Sequence, residues 1–125
     1  MRRGAILLTI MLMAGGCGKP DITAGSKPVS HWLEAVKSPD AETRKKAIGK
    51  LANVGTKDEN VLPALIEAVH DEEAEVRDEA VLALMRLGGA AKDAIPALRQ
   101  AQADDSDEVV RSHAGKALAR IQAGE

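Results

Sequence analysis

Residues 61–88 read VLPALIEAVHDEEAEVRDEAVLALMRLG, and the spacing of their apolar positions decides the fold. Counting from Arg77, Ala80 follows at +3, Leu84 at +7 and Leu87 at +10. Those offsets lie on one face of a helix with 3.6 residues per turn. Gly88-Gly89 ends that helix, since glycine accepts the left-handed backbone of a C-terminal cap at little cost. A second helix precedes it over 60–70, with Pro63 in its first turn, where a missing N–H costs no hydrogen bond. The acidic run Asp71 to Glu75 joins the two. The stretch is a helical hairpin.

The hairpin is repeated on both sides. Thr43-Arg44, Val76-Arg77 and Val110-Arg111 stand 33 and 34 residues apart. Each arginine is followed by the same stripe: Ala47, Ala80 and Ala114, then Leu51, Leu84 and Leu118, then Val54, Leu87 and Ile121. The first helices repeat as well, since Leu62-Pro63-Ala64-Leu65 matches Ile95-Pro96-Ala97-Leu98 at 33 residues. Val29-Ser30-His31-Trp32 takes this place in the first unit, which puts Trp32 where Leu65 and Leu98 sit. The third unit has one extra residue between Leu98 and Arg111. Self-similarity at this period marks a repeat array, in which each unit buries its stripe only against its neighbours. The expected helices are 29–37 and 40–53, 60–70 and 73–87, and 91–103 and 106–122, in repeats 28–57, 58–91 and 92–122.

Composition agrees with closely packed helices. The 125 residues include one Trp and neither Phe nor Tyr, so the core must come from Leu, Val, Ile and Ala. That argues against a sheet sandwich, which draws on bulky β-formers. The net charge is −2, and without Arg2 and Arg3 the chain has 15 basic and 19 acidic residues. Neither the charge balance nor the aromatic content offers nucleic acid a binding surface.

The N-terminus has a different character. Arg2-Arg3 and the apolar run 5–13 form the n- and h-regions of an export signal over 1–16. The run is shorter than the roughly 20 residues a transmembrane helix needs. It ends in Ala14-Gly15-Gly16-Cys17, and Cys17 is the only cysteine. This resembles the lipobox of bacterial lipoproteins, although Ala14 stands where Leu is usual. The resemblance implies that Cys17 is lipidated and becomes the mature N-terminus, anchored at the membrane. Gly18 in place of Asp favours the outer membrane in a host that has two. The arginine pair lacks the rest of a twin-arginine signal. Residues 17–27, with Pro, Gly and Ser and no periodicity, read as a flexible tether.

The second hairpin resembles a HEAT repeat of the short kind called PBS-lyase HEAT-like, and the resemblance extends over 28–122. It implies an all-α, right-handed α-solenoid, with the first helix of each unit on the convex side and the second on the concave side. It also implies a ladder in which Arg44, Arg77 and Arg111 pair with an acid of a neighbouring turn. Asp71 and Asp105, six residues before their arginines, are the candidates; Ser38 holds that place in the first unit, so a gap is expected there. The alternative for the arginines is a phosphate-binding row.

Ten of the nineteen acids lie in the three hairpin turns. At helix starts such residues cap free N–H groups and complement the dipole. The turns lack the glycine-containing spacing that wraps calcium. If the second helices are concave, Lys46, Lys50, Arg86, Lys116 and Arg120 form a candidate partner-binding surface, basic at both ends, with Asp78 and Glu79 between. Trp32 is either core or an aromatic anchor for a partner. His31, His70 and His113 have no metal-ligand companion at +3 or +4. They are followed by Trp32, Asp71 and Ala114, so the His-Glu pairs of deoxyhypusine hydroxylase, a HEAT-like di-iron enzyme, are not present. No catalytic residue, metal site, cofactor or small-molecule substrate is legible. The expected role is a lipid-anchored, non-catalytic module that binds a protein partner at a bacterial envelope. The alternative is an accessory or enzyme-like subunit related to PBS-lyase or hydroxylase HEAT proteins.

Overall fold

A computed structural model describes residues 22–24 and 27–125. Residues 1–16, expected to be an export signal, and Cys17 lie outside these residues. A short antiparallel hairpin pairs β1 (Thr23–Ala24) with β2 (Lys27–Pro28). Six α-helices follow: α1 (Val29–Ala35), α2 (Ala41–Val54), α3 (Val61–Ala68), α4 (Ala74–Leu87), α5 (Ile95–Asp104) and α6 (Glu108–Ala123). They form three helical hairpins stacked as an all-α solenoid. The inner helices α2, α4 and α6 pack in a row, and α1, α3 and α5 each pack on the inner helix of their own unit. The outer helices stand apart, with open grooves between them.

One continuous aliphatic core runs through all three units. Ile48, Leu51, Leu65, Leu84 and Leu98 are each 0% exposed. The repeated stripe of Ala47, Ala80 and Ala114 is buried too, and these small side chains let the inner helices approach closely. Gly55 and Gly88 end α2 and α4 at φ 61° and 56°, as the sequence reading of Gly88 expects. A side chain at Gly88 would also collide with the backbone of Glu125, which accepts a hydrogen bond from the Gly89 N–H at 2.8 Å.

Two boundaries differ from expectation by more than two residues. The third outer helix starts at Ile95; residues Gly88–Ala94 instead form 3-10 turns, kinked at Ala91. Pro96 explains the delay. An α-helix reaching back to residue 91 would place its ring against the Lys92 carbonyl and lose the bond to that oxygen. Part of the stretch 17–27, expected to be a tether, is also structured. Ile22 packs on the core and Ala24 is buried in it, with β1 against α1 and α2. The Ala24 carbonyl accepts the Trp32 Nε1–H at 2.9 Å, and the Ile22 carbonyl accepts the Val29 N–H at 2.8 Å. A buried indole N–H needs an acceptor, and the hairpin supplies it. Trp32 is 6% exposed and belongs to the core.

The third unit differs from the two before it. Ile48 and Val81 are wholly buried, and their counterpart is Gly115, roofed by the Gln102 amide. Gln102 in turn replaces Val36 and Val69, and Arg99 replaces Leu33 and Ile66. Positions that earlier units cover are polar and open in the last one. Among the described residues, no helix is long and apolar enough to cross a membrane.

Candidate interaction surface

The hairpin turns fix how one unit sits on the next. Asp40 and Asp107 cap α2 and α6, accepting the Thr43 and Val110 N–H groups at 2.9 and 3.0 Å. Asp71 and Asp105 do different work. Arg44 donates from Nε and Nη2 to the two oxygens of Asp71 at 2.9 and 3.0 Å. Arg77 repeats the same fork on Asp105 at 2.9 and 3.0 Å. Each arginine also donates Nη1 to the carbonyl six residues before it: Ser38, Asp71 or Asp105.

The ladder therefore has a direction, from the arginine of one unit to the aspartate of the next. The gap expected at the first unit lies at the last. Ser38 contributes only a carbonyl, which Arg44 uses, while Arg111 has no carboxylate partner among the described residues. Arg44 and Arg77 are committed to these bonds, which removes the phosphate-row alternative at both. Burial pushes the Asp71 and Asp105 carboxyls up. The hydrogen bonds from Arg44 and Arg77, those from the Glu73 and Asp107 N–H groups, and the nearby guanidinium charges outweigh it. Both carboxyls are held below the ordinary carboxylate range.

A lowered carboxyl pKa in the folded state gives a stability contribution that is complete above the unfolded value. It disappears as pH falls through the folded one. Unfolding by urea is accordingly expected to become easier once pH drops below about 4, the ordinary carboxylate value. Asp71→Asn/Asp105→Asn should flatten that dependence, and an unchanged pH slope in the double variant would contradict the assignment.

The exposed inner face follows from the same repeat. Equivalent positions give one row of Lys46, Glu79 and His113, a second of Gly49, Leu82 and Lys116, and a third of Asn53, Arg86 and Arg120. Several charges in and beside these rows are already paired. His113 Nδ1 lies 2.6 Å from Asp78 Oδ1, Arg86 Nη2 3.6 Å from Glu79, and Lys45 Nζ 3.6 Å from Glu42 and 3.8 Å from Glu75. Lys46, Lys116 and Arg120 are exposed and have no ion-pair partner among the described residues.

Lys50 departs from this group. Its counterparts are the buried Ala83 and Ala117, so it projects from the wrong side of α2. It is half-buried, with its ammonium 6.0 Å from the Trp32 ring centroid. Repeat counting finds this, because residue 50 falls in a column of alanines. Among the described residues, no three His, Cys, Asp or Glu side chains gather to hold a metal.

A family model described as HEAT repeats matches residues 29–119, most of the chain. No match is found among the curated proteins.

Proposed function

The chain belongs to the HEAT-repeat family, and from that premise we propose that it is a lipid-anchored, non-catalytic interaction module of a bacterial envelope. HEAT repeats generally mediate protein–protein interaction. The observation that carries the proposal for this chain is the inner face, where Lys46, Lys116 and Arg120 stand open with no ion-pair partner among the described residues. Unpaired charges on a rigid, repeat-built surface steer and select a partner of opposite sign. The anchor rests on the sequence: a basic and apolar leader, then a lone cysteine after small residues. The units are of the short PBS-lyase type, and the anchored face is the outer membrane where two membranes exist.

Two measurements test this reading. Cys17→Ala should move the protein from the membrane fraction to the soluble one; retention in the membrane would remove the anchor. Crosslinking in native membranes should capture a protein partner, and Lys116→Glu/Arg120→Glu should lose it. Identical captures from both proteins would exclude the inner face as the binding surface.

A further inference from the structure

The side formed by the outer helices carries a second surface of opposite character. Leu62, Pro63 and Ile66 form the apolar wall of an open groove of about 530 Å³ beside α3. Four carboxylates also line it, those of Asp58, Glu59, Glu67 and Asp93, and no basic side chain does. Among the described residues none of the four is held in an ion pair. The volume falls within the range of about 300–1,000 Å³ typical of binding clefts.

The fold does not require this pattern. At the equivalent positions the third unit holds Ile95 and Pro96, but Lys92 replaces Glu59, Arg99 replaces Ile66 and Gln100 replaces Glu67. The same type of outer helix therefore forms with the charges reversed or removed. Helix electrostatics account for only part of the set. Asp58 and Glu59 precede α3, where a negative charge is favourable, and Asp58 accepts the Asn60 N–H at 2.8 Å. Glu67 lies in the last turn of α3, where the dipole opposes a carboxylate.

We infer that this groove receives a cationic amphipathic helix of a partner protein. Its apolar residues, spaced i, i+3 and i+4, would rest on Leu62, Pro63 and Ile66. Its flanking Lys or Arg side chains would meet the four carboxylates. Apolar contact supplies affinity, and the acidic rim excludes helices whose borders are themselves acidic. The inference rests on the interaction-module reading and adds the chemistry of one partner.

The test uses the full-length chain and a labelled peptide of about 14 residues, roughly four helical turns, built from Leu and Lys with one apolar and one cationic face. The control has the same composition in scrambled order. Fluorescence anisotropy should show the amphipathic peptide binding at least about tenfold more tightly than the scrambled one. Glu59→Lys/Ile66→Arg/Glu67→Gln, which installs the third unit's residues, should abolish that preference without lowering the melting temperature. If this variant fails to fold, the exposed pair Glu59→Lys/Asp93→Lys is the substitute, with the same loss expected. Equal binding of both peptides, or full binding by a folded variant, overturns the groove. A membrane partner captured equally by wild type and variant would also remove the groove while leaving the module reading intact. Selective peptide binding without any membrane partner would have the reverse meaning.

Discussion

Asp105→Ala is expected to lower the unfolding free energy by about 3 kcal/mol, in the range seen when one partner of a buried ion pair is deleted. The Arg77–Asp105 side chains are only 12% and 7% exposed, so water compensates poorly for the lost carboxylate. The deletion strands the Nε and Nη2 donors of Arg77 and frees the Asp107 N–H that now bonds Asp105 at 2.9 Å. Arg111→Ala, which removes only a bond to the Asp105 carbonyl, should cost less than about 1 kcal/mol. Glu34→Ala should change nothing measurable, because its pair with Lys37 is 80% and 72% exposed. Urea unfolding at pH 7 with unchanged m-values would measure all three. Equal losses for Asp105→Ala and Arg111→Ala would mean that the fork does not bind units together, whatever its geometry.

The repeat pattern of the residues carries part of that contrast. The ladder's members stood out, since arginines recur at 33 and 34 residues and aspartates stand six before two of them. Its direction did not. Each bond spans 27 or 28 residues, and spacing alone does not say which neighbouring unit supplies the acid. The assignment of Trp32 to the leucine column was sound, and its burial agrees. The β-hairpin under it leaves no mark in the sequence pattern, because strands of two residues carry no detectable period. Ala24, and Ile22 just before β1, look like tether until the indole that the Ala24 carbonyl serves is located. The terminal unit was legible in principle: Gln102 below Val36 and Val69, and Arg99 below Leu33 and Ile66, both break apolar columns. The acidic rim of the outer-helix groove was not, since Asp58 and Asp93 lie in different units and only the stacking of hairpins brings them to one place.

The second large effect concerns the core. Leu84→Ala is expected to destabilise the array by about 3 kcal/mol, the middle of the range for truncating a buried leucine. The residue is fully buried on α4, and α4 is the helix that packs against both α2 and α6. In a solenoid, stability is close to a sum of unit and nearest-neighbour terms. A void in the middle inner helix therefore weakens two interfaces, and one at the end weakens one. Leu118, the equivalent position on α6 and 6% exposed, faces one inner helix, α4, among the described residues. Leu118→Ala should cost about 2 kcal/mol, the low end of that range, and the two variants should differ in kind. With Leu84→Ala, amide protection should fall together in α2, α4 and α6, because the unit that couples them has been weakened. With Leu118→Ala it should fall first in α6, while α2 keeps its wild-type protection. Loss confined to α4 in the first variant would show that the hairpins fold independently. The single aliphatic core running through all three units makes coupled loss the expected result.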